Sequence, residues 1–209
     1  VRTGDGRGAK DISLLLVPGD SQGLSRTRLD KMGWLCSDTA HLRFDNVRVP
    51  ARYLLGEEGA GFRIIMANFN GERFGLAASA LGFAEACYDE ALAWARQRKT
   101  FGAALVEHQV IRHKLAEMAT QVNVAREYTY RCAARMQAGE SAIAEVSMAK
   151  NFATDVADRI TYDAVQILGG MGYMRESLVE RLYRDNRILS IGGGSREIMN
   201  EIISKQMGL

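Results

Sequence analysis

"EHQVIRHKLAEMATQVNVAREYTYRCAARM", residues 107–136, sets Ile111, Leu115, Met118, Val122, Ala125, Cys132 and Met136 at alternating steps of three and four, broken only at Thr129. Steps of that size line up on one stripe of a 3.6-residue helix, and such a stripe has to be buried against neighbours. A helix from about Glu107 to Met136 within an antiparallel bundle follows. Upstream the helical period starts near Gly61, and a first helix is predicted from Ile64 to Arg98. Downstream "QAGES" (137–141) ends the second helix, and Ser141 is placed to cap a third. The third carries Met148, Phe152, Val156, Ile160, Ala164 and Ile167 on one face and stops at Gly169-Gly170. A loop and a short helix come next, and Ser195 is placed to cap a last helix that buries Ile198, Ile202 and Ile203. Both prolines, Pro18 and Pro50, precede this region, so everything after Gly61 is predicted to be helix.

From Lys10 to Pro50 the pattern differs. "DISLLLVPGD" (11–20) is a short apolar run ending in a Pro-Gly turn, and "AHLRFDNVRVP" (40–50) alternates Leu42, Phe44, Val47 and Val49 with polar residues, which predicts antiparallel sheet. "GDGRGA" (4–9) reads as a hairpin loop, since a phosphate loop needs strand, glycine turn and helix in that order. "LLGEEGAGF" (54–62) is a glycine-broken linker. Val1 falls in what reads as mid-strand, so a fragment of a longer chain is expected. The fold class is mainly α: a four-helix up-down bundle over residues 59–209, preceded by the last strands of an antiparallel β-domain over 1–58.

Composition narrows the function. Of 209 residues, 47% are hydrophobic and 25% charged, ordinary for a globular core. Lys and Arg total 27 against 25 Asp and Glu, without a basic run or interleaved aromatics, which argues against a nucleic-acid track. Cys36, Cys87 and Cys132 are odd in number and scattered, which suits a reducing compartment. No stretch approaches the roughly 20 apolar residues of a membrane span. His41, His108 and His113 lack metal-ligand spacing, so no metal site is expected, and no serine sits in a nucleophile elbow.

What remains is a series of polar or glycine-rich interruptions, one at each turn of the bundle: "NGERF" (70–74), "RQRKTFG" (96–102), "EHQ" (107–109), "QILGGMGY" (166–173) and "GGGSREIM" (192–199). Singly each has an ordinary reading. Glu72-Arg73 reads as an exposed helical pair, "RQRKTFG" as a helix end whose cations complement the macrodipole, and Gln109 as a solvated first-turn residue. Three successive glycines mark a strained turn or a surface that another group approaches closely.

In order and together, these phrases resemble the C-terminal part of the acyl-CoA dehydrogenases across nearly the whole chain. "KMGWLCSDTAHLRFDNVRVP" (31–50) followed by "LLGEEGAGF" is similar to the end of that family's middle β-domain. The resemblance implies FAD-dependent conversion of an acyl-CoA thioester to a trans-2-enoyl-CoA. In that family a glutamate removes the pro-R α-proton, and the β-hydrogen passes as hydride to N5 of FAD. Many members carry the glutamate where this chain has Gly193. In the isovaleryl and long-chain branches it directly precedes an arginine in the first helix, the position of Glu72 before Arg73, so Glu72 is the implied base. Beside an acyl chain and a flavin it would lose hydration and its pKa would rise. Gly193 and Gly194 would then widen the acyl pocket, and Asn70 and Arg73 match positions at the mouth where CoA enters.

Cofactor roles carry over by position. Arg98, Thr100, Phe101 and Gln109 match contacts to the pyrophosphate and adenosine of FAD, and Gln166, Gly169 and Gly170 the adenine-side loop. Ser195 and Glu197 match residues near the ribityl chain, with serine where threonine is usual. In an unbroken first helix the 26 residues from Glu72 to Arg98 span roughly 39 Å, too far for one FAD in one subunit. That implies a shared site in a homodimer or homotetramer. The implied electron acceptor is an electron-transfer flavoprotein, and the implied setting is bacterial cytoplasm or mitochondrial matrix. An acyl-CoA oxidase or flavin monooxygenase of the same fold, or a non-catalytic helical assembly module, are the alternative readings.

Overall fold

The computed structural model describes residues 1–209, which divide into two compact units, Val1–Gly71 and Glu72–Leu209. In the first unit β1 (Leu14–Leu15) pairs antiparallel with β4 (Leu54–Leu55), and β2 (Leu24–Arg28) with β3 (Ala40–Phe44) in the register Leu24 to Phe44 and Arg28 to Ala40. Antiparallel pairing is as the alternation predicts. The glycines of "GDGRGA" close over their own aspartate: the Gly6 and Gly8 amides donate to the Asp11 carboxylate at 3.2 and 2.8 Å. A Cβ on Gly4 would lie 2.2 Å from Asp11 Oδ1. The one anion this loop holds is thus internal, and a bridge between Arg2 and Ile12 makes the segment a hairpin. Buried Ser13 ties it down, its hydroxyl bonding Thr3 at 2.7 Å and accepting from the Gly59 amide at 2.8 Å.

Helix α1 spans Gly61–Gln97. It begins three residues before the predicted start. The second unit continues with β5 (Lys99–Thr100), β6 (Ala103–Ala104), α2 (Gln109–Gln137), α3 (Ile143–Leu168), α4 (Leu178–Asn186) and α5 (Arg196–Gln206). The molecule is mainly helical, with three long helices, α1 to α3, and two short ones, α4 and α5. Ion pairs fix the directions. Lys114 near the start of α2 meets Asp163 near the end of α3 at 2.5 Å, and Arg135 at the end of α2 meets Glu145 at the start of α3, so the two are antiparallel. Across α3 and α5, Asp155 pairs with Arg196 and Asn151 with Asn200, again antiparallel.

Local predictions hold and fail for identifiable reasons. The α2 stripe buries Leu115, Met118, Val122, Ala125 and Cys132 as predicted, but Thr129 is 2% exposed and fills the supposed break. On α3, Phe152 is 41% exposed while Ala149, Ala153 and Ala157 are buried: bulk marked the wrong neighbours, because α3 sits between helices that approach closely. On α5 the anchor is fully buried Met199, and Ile198 is exposed. The N-cap of α3 falls on Ala142, at φ +42°, one residue beyond Ser141. Nor is everything after Gly61 helical. "KTFGAA" folds as a hairpin whose two-residue turn, Phe101-Gly102, has φ +52° and +85°, the signature of a type I′ turn.

Candidate active site

The triglycine loop lies between α4 and α5, with Leu189 fully buried before it and Met199 after it. Gly193 has φ +66° and Gly194 φ +110°. A Cβ on Gly193 would stand 2.8 Å from Leu76 Cδ1, and one on Gly194 2.7 Å from Met199 Cε. Both positions therefore favour glycine for conformation, and a side chain at either would have to push aside the tip of Leu76 or Met199. Gly192 does not: its φ is ordinary and its nearest neighbour would be the Ile188 carbonyl at 3.4 Å. Two cations grip the loop from below. Arg73 Nε on α1 donates to the Gly193 carbonyl at 2.9 Å, and Lys150 Nζ on α3 donates to the Gly194 carbonyl at 2.6 Å.

Glu72 precedes Arg73 on α1 and is exposed, whereas Arg73 is 6% exposed. Leu76 lies one helical turn beyond Glu72, on the same side of α1, so Gly193 packs against the face that carries the carboxylate. Arg73, whose position the resemblance puts at the mouth where CoA enters, directs its guanidinium to the loop. Burial lowers its pKa, and the Glu72 carboxylate opposes that shift. Asn70 is half-buried on α1, two residues before Glu72.

Ser195 has the extended backbone of an N-cap, but its hydroxyl donates to Glu197 Oε2 at 2.6 Å and not to the helix. That hydrogen bond, then the backbone amide at the helix start, then Arg196, hold the Glu197 carboxyl below the usual carboxylate range. A cleft of about 380 Å³ opens here between Asp155, Asp158, Arg187, Ser195, Arg196 and Glu197.

The remaining candidates gather at the other end of α2 and α3. The Lys114–Asp163 pair brings the start of α2, with Gln109 exposed in its first turn, beside the end of α3, where Gln166, Gly169 and Gly170 are exposed. The β5–β6 hairpin leads directly into this end. Its tip presents Phe101 fully exposed, Arg98 is exposed at its base, and Thr100 Oγ1 bonds His108 Nε2 at 3.3 Å. Sixteen residues of α3, about 24 Å, separate Lys150 from Gln166, so the candidates form two groups. The second group fits the pyrophosphate and adenosine end of a flavin dinucleotide: an exposed cation, the free amides of a helix start, an exposed ring, and bare backbone at Gly169 and Gly170, where a Cβ would meet nothing within 4 Å. No three His, Cys, Asp or Glu side chains cluster to hold a metal ion.

Lys150 was missed from the sequence, where a helical lysine reads as solvated. Its one signal is register: it falls between Val146 and Ala153 on the stripe that α3 buries.

Residues 59–208 match the family model described as acyl-CoA dehydrogenase, C-terminal domain. A probable acyl-CoA dehydrogenase structure from Mycobacterium abscessus superposes with TM-score 0.97 at 56% identity, over all of this chain and 55% of that one. An acyl-CoA dehydrogenase of Bacillus subtilis is 44% identical over 98% of this chain and 54% of its own length. An electron transferring flavoprotein structure from Acidaminococcus fermentans gives TM-score 0.92 at 36% identity, over 99% of this chain and 55% of that one. The chain thus spans about half the length of the proteins it matches.

Proposed function

Because this chain belongs to the acyl-CoA dehydrogenase family, we propose that the protein dehydrogenates an acyl-CoA thioester between Cα and Cβ, with Glu72 accepting the α-proton. One observation carries the assignment. Gly193 has no side chain and a left-handed backbone that disfavours one, while Glu72 is an exposed carboxylate on the face of α1 against which Gly193 packs. Glu197, the other glutamate beside the loop, is engaged by the Ser195 hydroxyl, which holds its carboxyl below the usual range and disfavours proton uptake there.

FAD, when bound, supplies the hydride acceptor. Arg98, Thr100, Phe101 and Gln109 hold its pyrophosphate and adenosine, Gln166, Gly169 and Gly170 its adenine side, and Ser195 and Glu197 the ribityl end. Gly193 and Gly194 leave width for the acyl chain, and Asn70 matches a position at the mouth where CoA enters. Arg73, by fixing the Gly193 carbonyl, holds the wall opposite Glu72. Since α1 is unbroken from Glu72 to Gln97, the roughly 39 Å between base and Arg98 supports a site completed by a second copy, in a homodimer or homotetramer. The likeness to an electron transferring flavoprotein structure supports such a protein as the acceptor. Relatives include bacterial and mitochondrial proteins, and no helix is long and apolar enough to cross a membrane, which agrees with cytoplasm or mitochondrial matrix. The working division is 1–58 for the end of the β-domain and 59–209 for the helical domain.

Glu72→Gln in the full-length protein tests the reading. The amide keeps the shape but accepts no proton, so kcat falls by about a thousandfold or more with FAD retained. Near-normal turnover would move the base to another residue.

A further inference from the structure

Lys150 is fully buried, with a single hydrogen bond to the Gly194 carbonyl and no carboxylate paired with it. A buried ammonium with one partner and no counter-ion is costly, and a methionine, unbranched and one atom shorter, would pack there without that cost. The setting worsens the cost. The charged groups acting on it are both cations, Arg73 from α1, with Glu72 beside it, and Arg196 from α5, itself paired to Asp155. A role that outweighs this expense lies in what the ammonium touches. Three glycines offer no side chain by which a loop can be anchored, so the orientation of their peptide planes is set by what binds their carbonyls. Two consecutive carbonyls are held, Gly193 by α1 and Gly194 by α3, and the lysine stem passes beneath Gly193, its Cε 3.9 Å from where a Cβ would be.

We propose that Lys150 is a positioning residue, whose bond to the Gly194 carbonyl sets the height of the triglycine loop over α1 and thereby the width of the acyl pocket opposite Glu72. The inference rests on the dehydrogenase reading for its kinetic meaning, but the lock on the loop stands by itself. Burial first, then Arg73 and Arg196, bring the Lys150 pKa down to about 8, so the charge that strengthens the bond is lost as the pH rises through that region.

The test uses the full-length, FAD-loaded protein and its Lys150→Met variant. The variant keeps FAD and melts no lower than the parent. Its kcat/KM falls by roughly tenfold to a hundredfold, the effect of a shift of about 1 Å in the reacting geometry, and its preference between straight and branched acyl-CoAs changes at least about threefold. In the parent that preference drifts between pH 7 and 9.5, whereas in Lys150→Met it is flat. Lys150→Gln, which keeps a donor without the charge, lies between the two. An unchanged preference in both variants, with no pH drift in the parent, overturns the proposal. Amide hydrogen exchange at Gly193, Gly194 and Ser195 reads the lock without turnover. Corrected for intrinsic rates, protection there is lower in Lys150→Met than in the parent if the lock exists, and equal protection in the two overturns it. A protein inactive on every acyl-CoA would therefore sink the dehydrogenase reading and leave Lys150 decided by exchange alone.

Discussion

Two glycine runs of similar composition, Gly192–Gly194 and Gly169–Gly170, solve opposite problems. Around the first the protein presses in: Leu76 and Met199 occupy the space of the missing side chains, and two buried cations hold the carbonyls. Around the second nothing lies within 4 Å of either added Cβ, although Gly169 has φ +60° and ψ −134°, a conformation reserved for glycine. One run keeps room inside the fold, and the other keeps backbone open to whatever docks at that end. Glycine in a sequence marks absence of a side chain, and only the neighbours say for whose benefit.

The contrast can be broken experimentally. The largest effect is expected at the crowded run. In a Glu72→Gln background, Gly193→Glu returns a base to the pocket, but a positive φ and the 2.8 Å approach of Leu76 misplace it, so recovered kcat stays about a hundredfold or more below the parent. Adding Leu76→Ala relieves the clash and raises the recovery; acyl-CoA turnover of the three variants decides it, and no difference on adding Leu76→Ala would mean Gly193 does not face that side chain.

Stability should separate the runs next. Gly193→Ala loses about 2 to 4 kcal/mol, the sum of left-handed backbone and overpacking, Gly169→Ala about 1 to 3 from backbone alone, and Gly170→Ala stays within about 0.5. Denaturant midpoints of the full-length variants give the order. At the open end, Arg98→Ala removes a charge-assisted contact worth about 1.5 to 3 kcal/mol, so FAD binds roughly ten- to a hundredfold more weakly while refilled enzyme turns over normally. Titration of apoprotein with FAD measures this.

The smallest effect is one of pH. Lys150 has a folded pKa of about 8 against 10.5 ordinarily, so between these values the unfolded chain binds the extra proton and stability rises with pH. Thermal unfolding of the parent relative to Lys150→Met should therefore improve from pH 8 toward 10.5 and not change below pH 7.

Much of this was legible because helix periodicity needs only regular burial. The three long helices, the two short ones after them, and the glycine stops at Gly139 and Gly169 follow from spacing and cap chemistry. Errors came where size stood in for burial, as at Phe152 against Ala153 and Ile198 against Met199, since closely packed helices select small or flexible side chains. The β5–β6 hairpin is two residues per strand, too short for a period, and its Phe-Gly turn lacks the usual Asn or Asp. The candidate site was legible as a set of positions, through resemblance. The grip on the loop was not, because a buried lysine has no local signature and its partner is a backbone carbonyl 44 residues away.

The pairing of α2 with α3 has a further consequence, for the order in which the molecule assembles. Five residues join these helices, and ion pairs pin them at both ends, so closing that hairpin costs little chain entropy. The grip on the triglycine loop closes over 44 residues through Lys150 and 120 through Arg73. Distant closures are made late and rewarded only once local ones stand. The pocket wall is therefore among the last features to form, and a chain that has secured it has folded everything beneath it.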